Sequence, residues 1–105
     1  MQTIVSIPHH EYPATVREYV EDKLQGLLKY YERIVSIRAV LTREADDHRV
    51  ELVATVGHGV TLVVDAHEDL LETAISESIE RMRRVLTRHK TKLEDKHRRG
   101  GRVGH

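Results

Sequence analysis

The chain has 105 residues and a mass of 12.1 kDa, which is enough for one domain and too little for two. Charged residues make up 32% of it, and no apolar run reaches the ~18 residues that a membrane span needs. Cysteine is absent, which excludes disulfides, thiol chemistry and cysteine-ligated metal sites. The N-terminus also lacks the basic and apolar regions of a signal peptide, so we expect a single-domain cytoplasmic protein.

The first elements predicted along the chain are a short strand and an amphipathic helix. Residues 3–7 are rich in β-branched side chains, as in a strand. Apolar residues between positions 16 and 34 then recur every three or four residues, as on one face of a helix. Thr15 and Glu18 fit a capping box at the helix start, whereas Pro13 in the first turn would begin the helix slightly earlier.

Three strands are predicted next. Apolar and polar residues alternate through residues 37–42, 49–56 and 60–67, which is typical of antiparallel strands with one buried face. Short turns join them at Ala45-Asp46-Asp47 and at Gly57-His58-Gly59. We expect the strands to form one sheet.

The last predicted element is a long helix from about Glu68 to Lys96. Its apolar residues fall on one face, acidic residues lie in its first turn and lysines lie near its end, as the helix dipole favours. Such a helix spans roughly 40 Å, about twice the length of a strand, so its basic end should extend beyond the sheet. We interpret residues 98–105 as a flexible basic tail that follows a domain of residues 1–97.

The element order β-α-β-β-β-α predicts an α+β fold. Four strands form a mixed sheet, and both helices cover the same face of it in a two-layer sandwich. Catalytic motifs are absent, because Gly57-His58-Gly59 lacks the following helix of a phosphate loop and Asp46-Asp47 fits a turn. His9, His10, His58 and His67 lack the His-x-x-x-His spacing of metal ligands, so we expect no metal, no cofactor, no small-molecule substrate and no enzymatic activity.

Charge is balanced overall and polarised along the chain. Residues 1–80 hold 7 basic and 15 acidic side chains, a net charge of −8, whereas residues 81–105 hold 10 basic and 2 acidic ones, a net charge of +8. This asymmetry indicates a polyanion-binding end, with nucleic acid as the first candidate partner. A solvated helix with a basic tail would give the same pattern, and charge alone leaves both interpretations open.

The second helix carries a stripe of basic residues. Four of them follow at i, i+3, i+7 and i+11 on one side of the helix: Arg81, Arg84, Arg88 and Lys92. Others broaden or flank the stripe, namely Arg83, Lys90 and Lys96 in the same helix and Lys23, Lys29 and Arg33 from the first. Guanidinium groups suit phosphates because they donate paired hydrogen bonds.

Aromatic residues limit the kind of recognition. The chain has four tyrosines and neither Phe nor Trp, and we expect Tyr19 and at least one of Tyr30 and Tyr31 to pack in the core. A base-stacking platform is therefore not expected, and phosphate-led binding to structured RNA fits better. For Tyr30 and Tyr31, stacking on one base stays open beside core packing.

Two motifs resemble the bacterial ribosome hibernation-promoting factors and ribosome-associated inhibitors, a family also labelled sigma-54 modulation proteins. The first motif combines Val16-Arg17-Glu18-Tyr19-Val20 with Tyr30-Tyr31-Glu32-Arg33-Ile34. The second combines Ala74-Ile75 with Leu86-Thr87-Arg88-His89-Lys90-Thr91-Lys92-Leu93. The resemblance extends from about residue 2 to residue 93, and the element order derived above is also that of the family.

The resemblance implies a protein that binds the small ribosomal subunit near the decoding centre, occupies space needed by tRNA and mRNA, and keeps ribosomes inactive under stress or in stationary phase. It implies contacts to 16S ribosomal RNA from the positions that match the family, which are Lys23, Arg33, Arg84, Arg88, His89, Lys90 and Lys92. It also implies a short form, without the C-terminal domain of long members. We expect a monomer off the ribosome that binds the 30S subunit and the 70S ribosome.

Two other functions stay open. A protein-interaction regulator, as the sigma-54 label suggests, would use the acidic residues 1–80 or the open sheet face and would need no RNA. A histidine metal protein or small enzyme is the third interpretation.

Overall fold

The computed structural model describes residues 2–9 and 12–103, with side chains as far as Glu94. The first strand, β1, spans Gln2–Ser6, and the first helix, α1, spans Ala14–Tyr30. Helix α1 begins directly after Pro13 and has no side-chain cap, so the earlier start is confirmed and the capping box at Thr15 is wrong.

Helix α1 also ends earlier than its apolar spacing suggests. Tyr31 has extended backbone angles, φ −137° and ψ 106°, and Ile34 already begins the next strand. Both side chains are nevertheless buried, so they continue the apolar pattern of α1 from a backbone that is no longer helical. The prediction of helix through residue 34 is therefore wrong.

Three further strands complete the sheet. Strand β2 spans Ile34–Glu44, β3 spans Asp47–Val56 and β4 spans Val60–Glu68. The strand order is β1-β2-β3-β4, with β1 parallel to β2 and the other neighbours antiparallel. The predicted four-stranded mixed sheet is thereby confirmed.

The second helix, α2, spans Leu71–Val103. It begins after residue 68 because that position still belongs to β4, and it continues through the two glycines at positions 100 and 101. Helical backbone therefore occupies the first part of the predicted tail, while Gly104 and His105 lie outside the described residues. The domain boundary at residue 97 stays a prediction.

The core lies between the sheet and the two helices, as predicted. It consists of alternate strand residues packed against one stripe of each helix, with β2 and β3 contributing Ile37, Ala39, Leu41, Val50, Leu52, Ala54 and Val56. Helix α1 adds Val20, Leu24 and Leu27, and helix α2 adds Ala74, Ile75, Ile79, Met82 and Leu86. Among the side chains described in α2, none beyond Leu86 is fully buried, so the helix extends past its sheet.

The two helices run in the same direction along the sheet. Near their starts, Tyr19 of α1 and Leu71 of α2 line one small cavity, and near the end of α1 the Tyr30 hydroxyl bonds to Thr87 of α2. Tyr19 is 39% exposed, which corrects the expectation that it packs in the core. The neighbouring Val20 takes the buried position instead. No helix in the described part of the chain is long and apolar enough to cross a membrane.

Candidate nucleic-acid interface

The exposed side of α2 carries three cations in a row, which we call the outer stripe: Arg84, Arg88 and Lys92. None of the three forms an ion pair with another described residue. The nearest contact is from Arg84 Nε to the Glu80 carbonyl oxygen, at 3.5 Å. Their positive charge is therefore exposed to solvent and is available to pair with phosphate groups.

Two other arginines of the predicted stripe form ion pairs with carboxylates of the same helix. Arg81 bonds to the Glu77 carboxylate at 2.9 Å and donates to the Asp65 carbonyl oxygen. Arg83 pairs with Glu80 at 3.1 Å, and its guanidinium lies 5.4 Å from the ring centroid of Tyr30. The row of four residues inferred from sequence spacing thus contains three that are open to a partner.

A groove lies where the end of α1, the β3–β4 turn and the projecting part of α2 meet. It has a volume of about 900 Å³, and we call it the helix-end groove. Its cationic and apolar lining comes from Lys29, Tyr30, Arg33, His58, Lys90 and Leu93, and Tyr31, Glu32 and Glu94 complete it. Three separate elements therefore build one concave surface, and no residue of the outer stripe lines it.

Lys90 belongs to this groove and not to the stripe. At about 100° per residue, its side chain leaves α2 roughly 160° around the axis from those of Arg88 and Lys92. The groove brings Lys90 together with Arg33 of the α1–β2 connection. The expectation that Lys90 broadens the stripe is therefore wrong, and α2 presents two cationic surfaces.

A backbone hydrogen bond and the conformation of the β3–β4 turn determine the shape of the groove. The Gly57 amide donates to the Arg33 carbonyl oxygen at 2.9 Å, which holds the β3–β4 turn against the α1–β2 connection. Within that turn His58 adopts the left-handed conformation, with φ of 70°, and Gly59 follows with φ of 78°. Positive φ is uncommon for a residue with a side chain, and here it places the imidazole on the groove wall.

Two tyrosines connect the end of α1 to α2. Thr87 donates its hydroxyl proton to the Arg83 carbonyl oxygen at 2.9 Å, so the Tyr30 hydroxyl is the donor to Thr87. The hydroxyl of Tyr31 bonds to Nδ1 of His89 at 3.0 Å, with the two rings edge to face. His89 is half-buried, and its contact is to Tyr31 of the protein core.

Lys23 lies apart from both surfaces. Its ammonium is 5.2 Å from the ring centroid of Tyr19, one of the residues that line the small cavity near the start of α2. Of the seven sequence-predicted contact residues, three form the outer stripe, and Arg33 and Lys90 line the groove. His89 bonds to Tyr31, and Lys23 belongs to neither surface. The contacts of all seven with RNA stay predictions.

Other titratable groups lie at the far end of the sheet and at the start of α2. His67 is 3.6 Å from an Asp47 oxygen and 3.9 Å from a Glu44 oxygen, all three being near the β2–β3 hairpin. Within the described residues no three His, Asp or Glu side chains are arranged to hold a metal ion.

The pKa of Glu68 is raised, first by a hydrogen bond to Glu77 and then by repulsion from that carboxylate. The Oε2 atom of Glu77 is buried and has no described hydrogen-bond donor.

The sequence of this chain matches a known protein family. The family model described as sigma 54 modulation protein / S30EA ribosomal protein matches residues 3–94. The chain belongs to this family. The ribosome hibernation promoting factor of Salmonella typhimurium is 32% identical over 94 residues, which cover 90% of this chain and 98% of that protein. The factor of the same name from Azotobacter vinelandii is 30% identical over 90 residues, 84% of this chain and 83% of that protein.

Two solved structures share the fold of this family member. A ribosomal subunit interface protein from Coxiella burnetii has a TM-score of 0.78 at 15% identity, covering 87% of this chain and 99% of that one. The N-terminal domain of Thermus thermophilus Protein Y has a TM-score of 0.70 at 23% identity, covering 83% and 94%. The α+β fold and the family resemblance inferred from sequence are both confirmed.

Sequence reasoning missed the groove because no local pattern encodes it. Lys29 and Arg33 are recognisable as basic, but the sequence around His58 indicates only a turn. The glycines on both sides of His58 were the one available signal, since they mark a tight turn of unusual backbone geometry.

Proposed function

We propose that this protein binds the small ribosomal subunit, occupies its tRNA and mRNA channel, and keeps ribosomes inactive under stress or in stationary phase. The observation that carries the proposal is the outer stripe, three exposed cations without ion-pair partners in the described structure, on a helix that extends beyond its sheet. The names of the matching relatives, ribosome hibernation promoting factors, support the same role.

The mechanism is steric, and phosphate contacts supply the affinity. Arg84, Arg88 and Lys92 pair with phosphates of 16S ribosomal RNA, and each such contact releases counterions, so binding weakens steeply with salt. The shape of residues 1–97, the proposed ribosome-binding domain, determines where on the subunit the protein lies. The protein acts in the cytoplasm without cofactor or catalysis, and it is a monomer when off the ribosome.

Co-sedimentation with purified 30S and 70S particles tests this proposal. The triple variant Arg84→Glu, Arg88→Glu and Lys92→Glu should lose binding, because it replaces three phosphate contacts with repulsion, while its circular dichroism stays that of the native fold. Two single variants give a matched comparison. Arg88→Glu changes the outer stripe, and Arg38→Glu is its control. The two make the same change of charge, but Arg38 is exposed on β2, on the sheet face away from the helices. We expect only Arg88→Glu to weaken binding.

The outcome also separates the protein-interaction regulator from the ribosome factor. A protein partner at the open sheet face would give binding that depends weakly on salt and is lost in Arg38→Glu. Wild-type binding in the triple variant would overturn the proposal. Displacement of the bound protein by mRNA and tRNA tests the location in the channel, and inhibition of translation in vitro tests the consequence.

A further inference from the structure

We propose that the helix-end groove takes up a single unpaired nucleotide of RNA, with its base against Tyr30 and its phosphate among Lys29, Arg33 and Lys90. The inference deepens the proposed function and rests on it, because it adds to phosphate pairing by the outer stripe a second, base-dependent contact to the same RNA.

The size and lining of the groove suit one nucleotide. Its volume of about 900 Å³ lies within the range typical of small-ligand sites. Tyr30 and Leu93 provide an apolar wall, and the cations stand around it. Proteins commonly recognise RNA through unpaired bases that are turned outward and stacked on aromatic side chains, whereas paired bases are not accessible in that way.

Tyr30 is held ready for such a base. It is 47% exposed, its hydroxyl is fixed by Thr87, and the Arg83 guanidinium lies over the ring. A ring fixed in this way loses little conformational freedom on binding, so more of the contact contributes to affinity. Tyr31 is buried in the core, so core packing holds for this tyrosine and it cannot stack on a base.

The charges of the groove favour a nucleotide over a bare anion. Lys29, Arg33 and Lys90 attract a phosphate, but Glu32 and Glu94, which line the same groove, repel one. Carboxylates accept hydrogen bonds from ribose hydroxyls and from the amino groups of bases. We therefore expect inorganic phosphate alone to bind poorly.

The β3–β4 turn fixes the position of His58. His58 has a φ of 70°, and Ala45 in the other hairpin turn has a φ of 55°, so this conformation belongs to the turns. His58 lines the groove, and the bond from Gly57 to Arg33 holds its turn in place. The imidazole adds a hydrogen-bonding group beside the proposed phosphate position.

The test uses a fluorescently labelled single-stranded RNA hexanucleotide, whose affinity is measured by anisotropy at low salt. The variant Tyr30→Leu should weaken binding by about tenfold, as expected for the loss of one stacked base. Tyr19→Leu is the matched control, because Tyr19 is also in α1, is 39% exposed and has a cation over its ring, yet lies outside the groove. We expect binding by this control to stay within about twofold of wild type.

A second variant shows whether a loss of binding comes from loss of the ring or from misfolding. Tyr30→Phe keeps the ring and removes the hydroxyl bond to Thr87, so it should bind the hexanucleotide more tightly than Tyr30→Leu. Equal affinities of wild type and Tyr30→Leu, or equal losses in Tyr30→Leu and Tyr30→Phe, would overturn the inference. It would also be overturned by equal binding of an abasic hexamer with the same phosphates.

Other ligands distinguish the source of the nucleotide. A nucleoside monophosphate that binds as tightly as the hexamer, with the same dependence on Tyr30, would assign the groove to a free nucleotide and overturn the assignment to RNA. A fully paired RNA duplex should gain nothing from Tyr30. In 30S co-sedimentation, Tyr30→Leu should bind more weakly than Tyr19→Leu. Failure of the wild-type protein to sediment would overturn the proposed function, whereas equal sedimentation of these two variants would overturn only the groove assignment.

Discussion

The two halves of α2 share one sequence period but serve different purposes. Residues 71–86 bury an apolar stripe against the sheet, and the arginines at positions 81 and 83 are paired with carboxylates of the same helix. Residues 87–94 contain no fully buried side chain, and their cations form no ion pair with described residues. A basic residue of this helix that pairs with a nearby carboxylate stabilises the fold, whereas one without such a partner is available to bind a polyanion.

The difference has a simple electrostatic basis. Carboxylates three or four residues before an arginine neutralise it along the helix, as Glu77 does for Arg81 and Glu80 does for Arg83. Glu80 pairs with Arg83 and not with Arg84, and the next acidic residue of α2 is Glu94, so the cations from Arg84 to Lys92 that form the outer stripe have no carboxylate partner among the described residues. Positive charge available for a polyanion therefore begins at Arg84, near the end of the sheet-covering half, and continues along the projecting half.

The largest expected effect contrasts the same substitution in the two halves. Leu86→Ala should lower the free energy of unfolding by about 2–5 kcal/mol, since it leaves a cavity in the core. Leu93→Ala, at a half-buried position beyond the sheet, should cost less than about 1 kcal/mol. Urea denaturation of both variants measures the difference, and equal losses would show that the projecting half is as much part of the core as the first half.

The next effect concerns RNA binding. Arg88→Ala should weaken 30S binding and make the slope of log affinity against log salt shallower by about one, as for loss of one phosphate contact. Arg81→Ala is the control in the sheet-covering half, and it should leave the slope nearly unchanged because Glu77 already compensates that charge. Equal changes in slope would contradict the division of α2 into paired and available cations.

A smaller effect is expected on stability. Arg81→Ala removes the ion pair to Glu77 and the bond to the Asp65 carbonyl oxygen, and it should cost about 0.5–1.5 kcal/mol because these contacts are partly exposed. Arg84→Ala should cost less than about 0.5 kcal/mol, since its side chain has only one long contact. Thermal melting compares the two, and the reverse order would contradict the assignment of structural and available arginines.

The smallest effect concerns pH. The pKa of Glu68 is raised, first by its hydrogen bond to Glu77 and then by repulsion from that carboxylate, so the folded protein holds this proton more tightly than the unfolded chain. The resulting stabilisation is complete below the ordinary pKa of about 4.5 and is lost as pH rises through the raised value. Glu68→Gln should flatten this part of the pH profile of the melting temperature, and an unchanged profile would contradict the proton-sharing pair.

The fold was predictable because burial leaves a periodic record in the sequence. Alternation in β2 to β4 and the three-to-four spacing in both helices gave the element order and the layer arrangement. The end of α1 was missed because Tyr31 and Ile34 keep the apolar spacing after the helix has ended. Tyr19 was misplaced because its spacing fits the core stripe, although Val20 takes the buried position.

The candidate site was predictable only in part. Spacing identifies the outer stripe, because residues on one helix have a fixed angular relation. The helix-end groove depends on contacts between distant segments, such as the bond from Gly57 to Arg33 and that from Tyr30 to Thr87. Spacing along α2 also could not show that Lys90 faces this groove, because that requires knowing where α1 ends.

The most direct measurement is the affinity of the protein for purified 30S subunits across a salt series, for the wild type and for the triple variant of Arg84, Arg88 and Lys92 to glutamate. We expect saturable wild-type binding that weakens steeply with salt, and no binding by the triple variant at any salt concentration. Wild-type binding that is insensitive to salt, or that survives in the triple variant, would contradict recognition of the ribosome through the outer stripe.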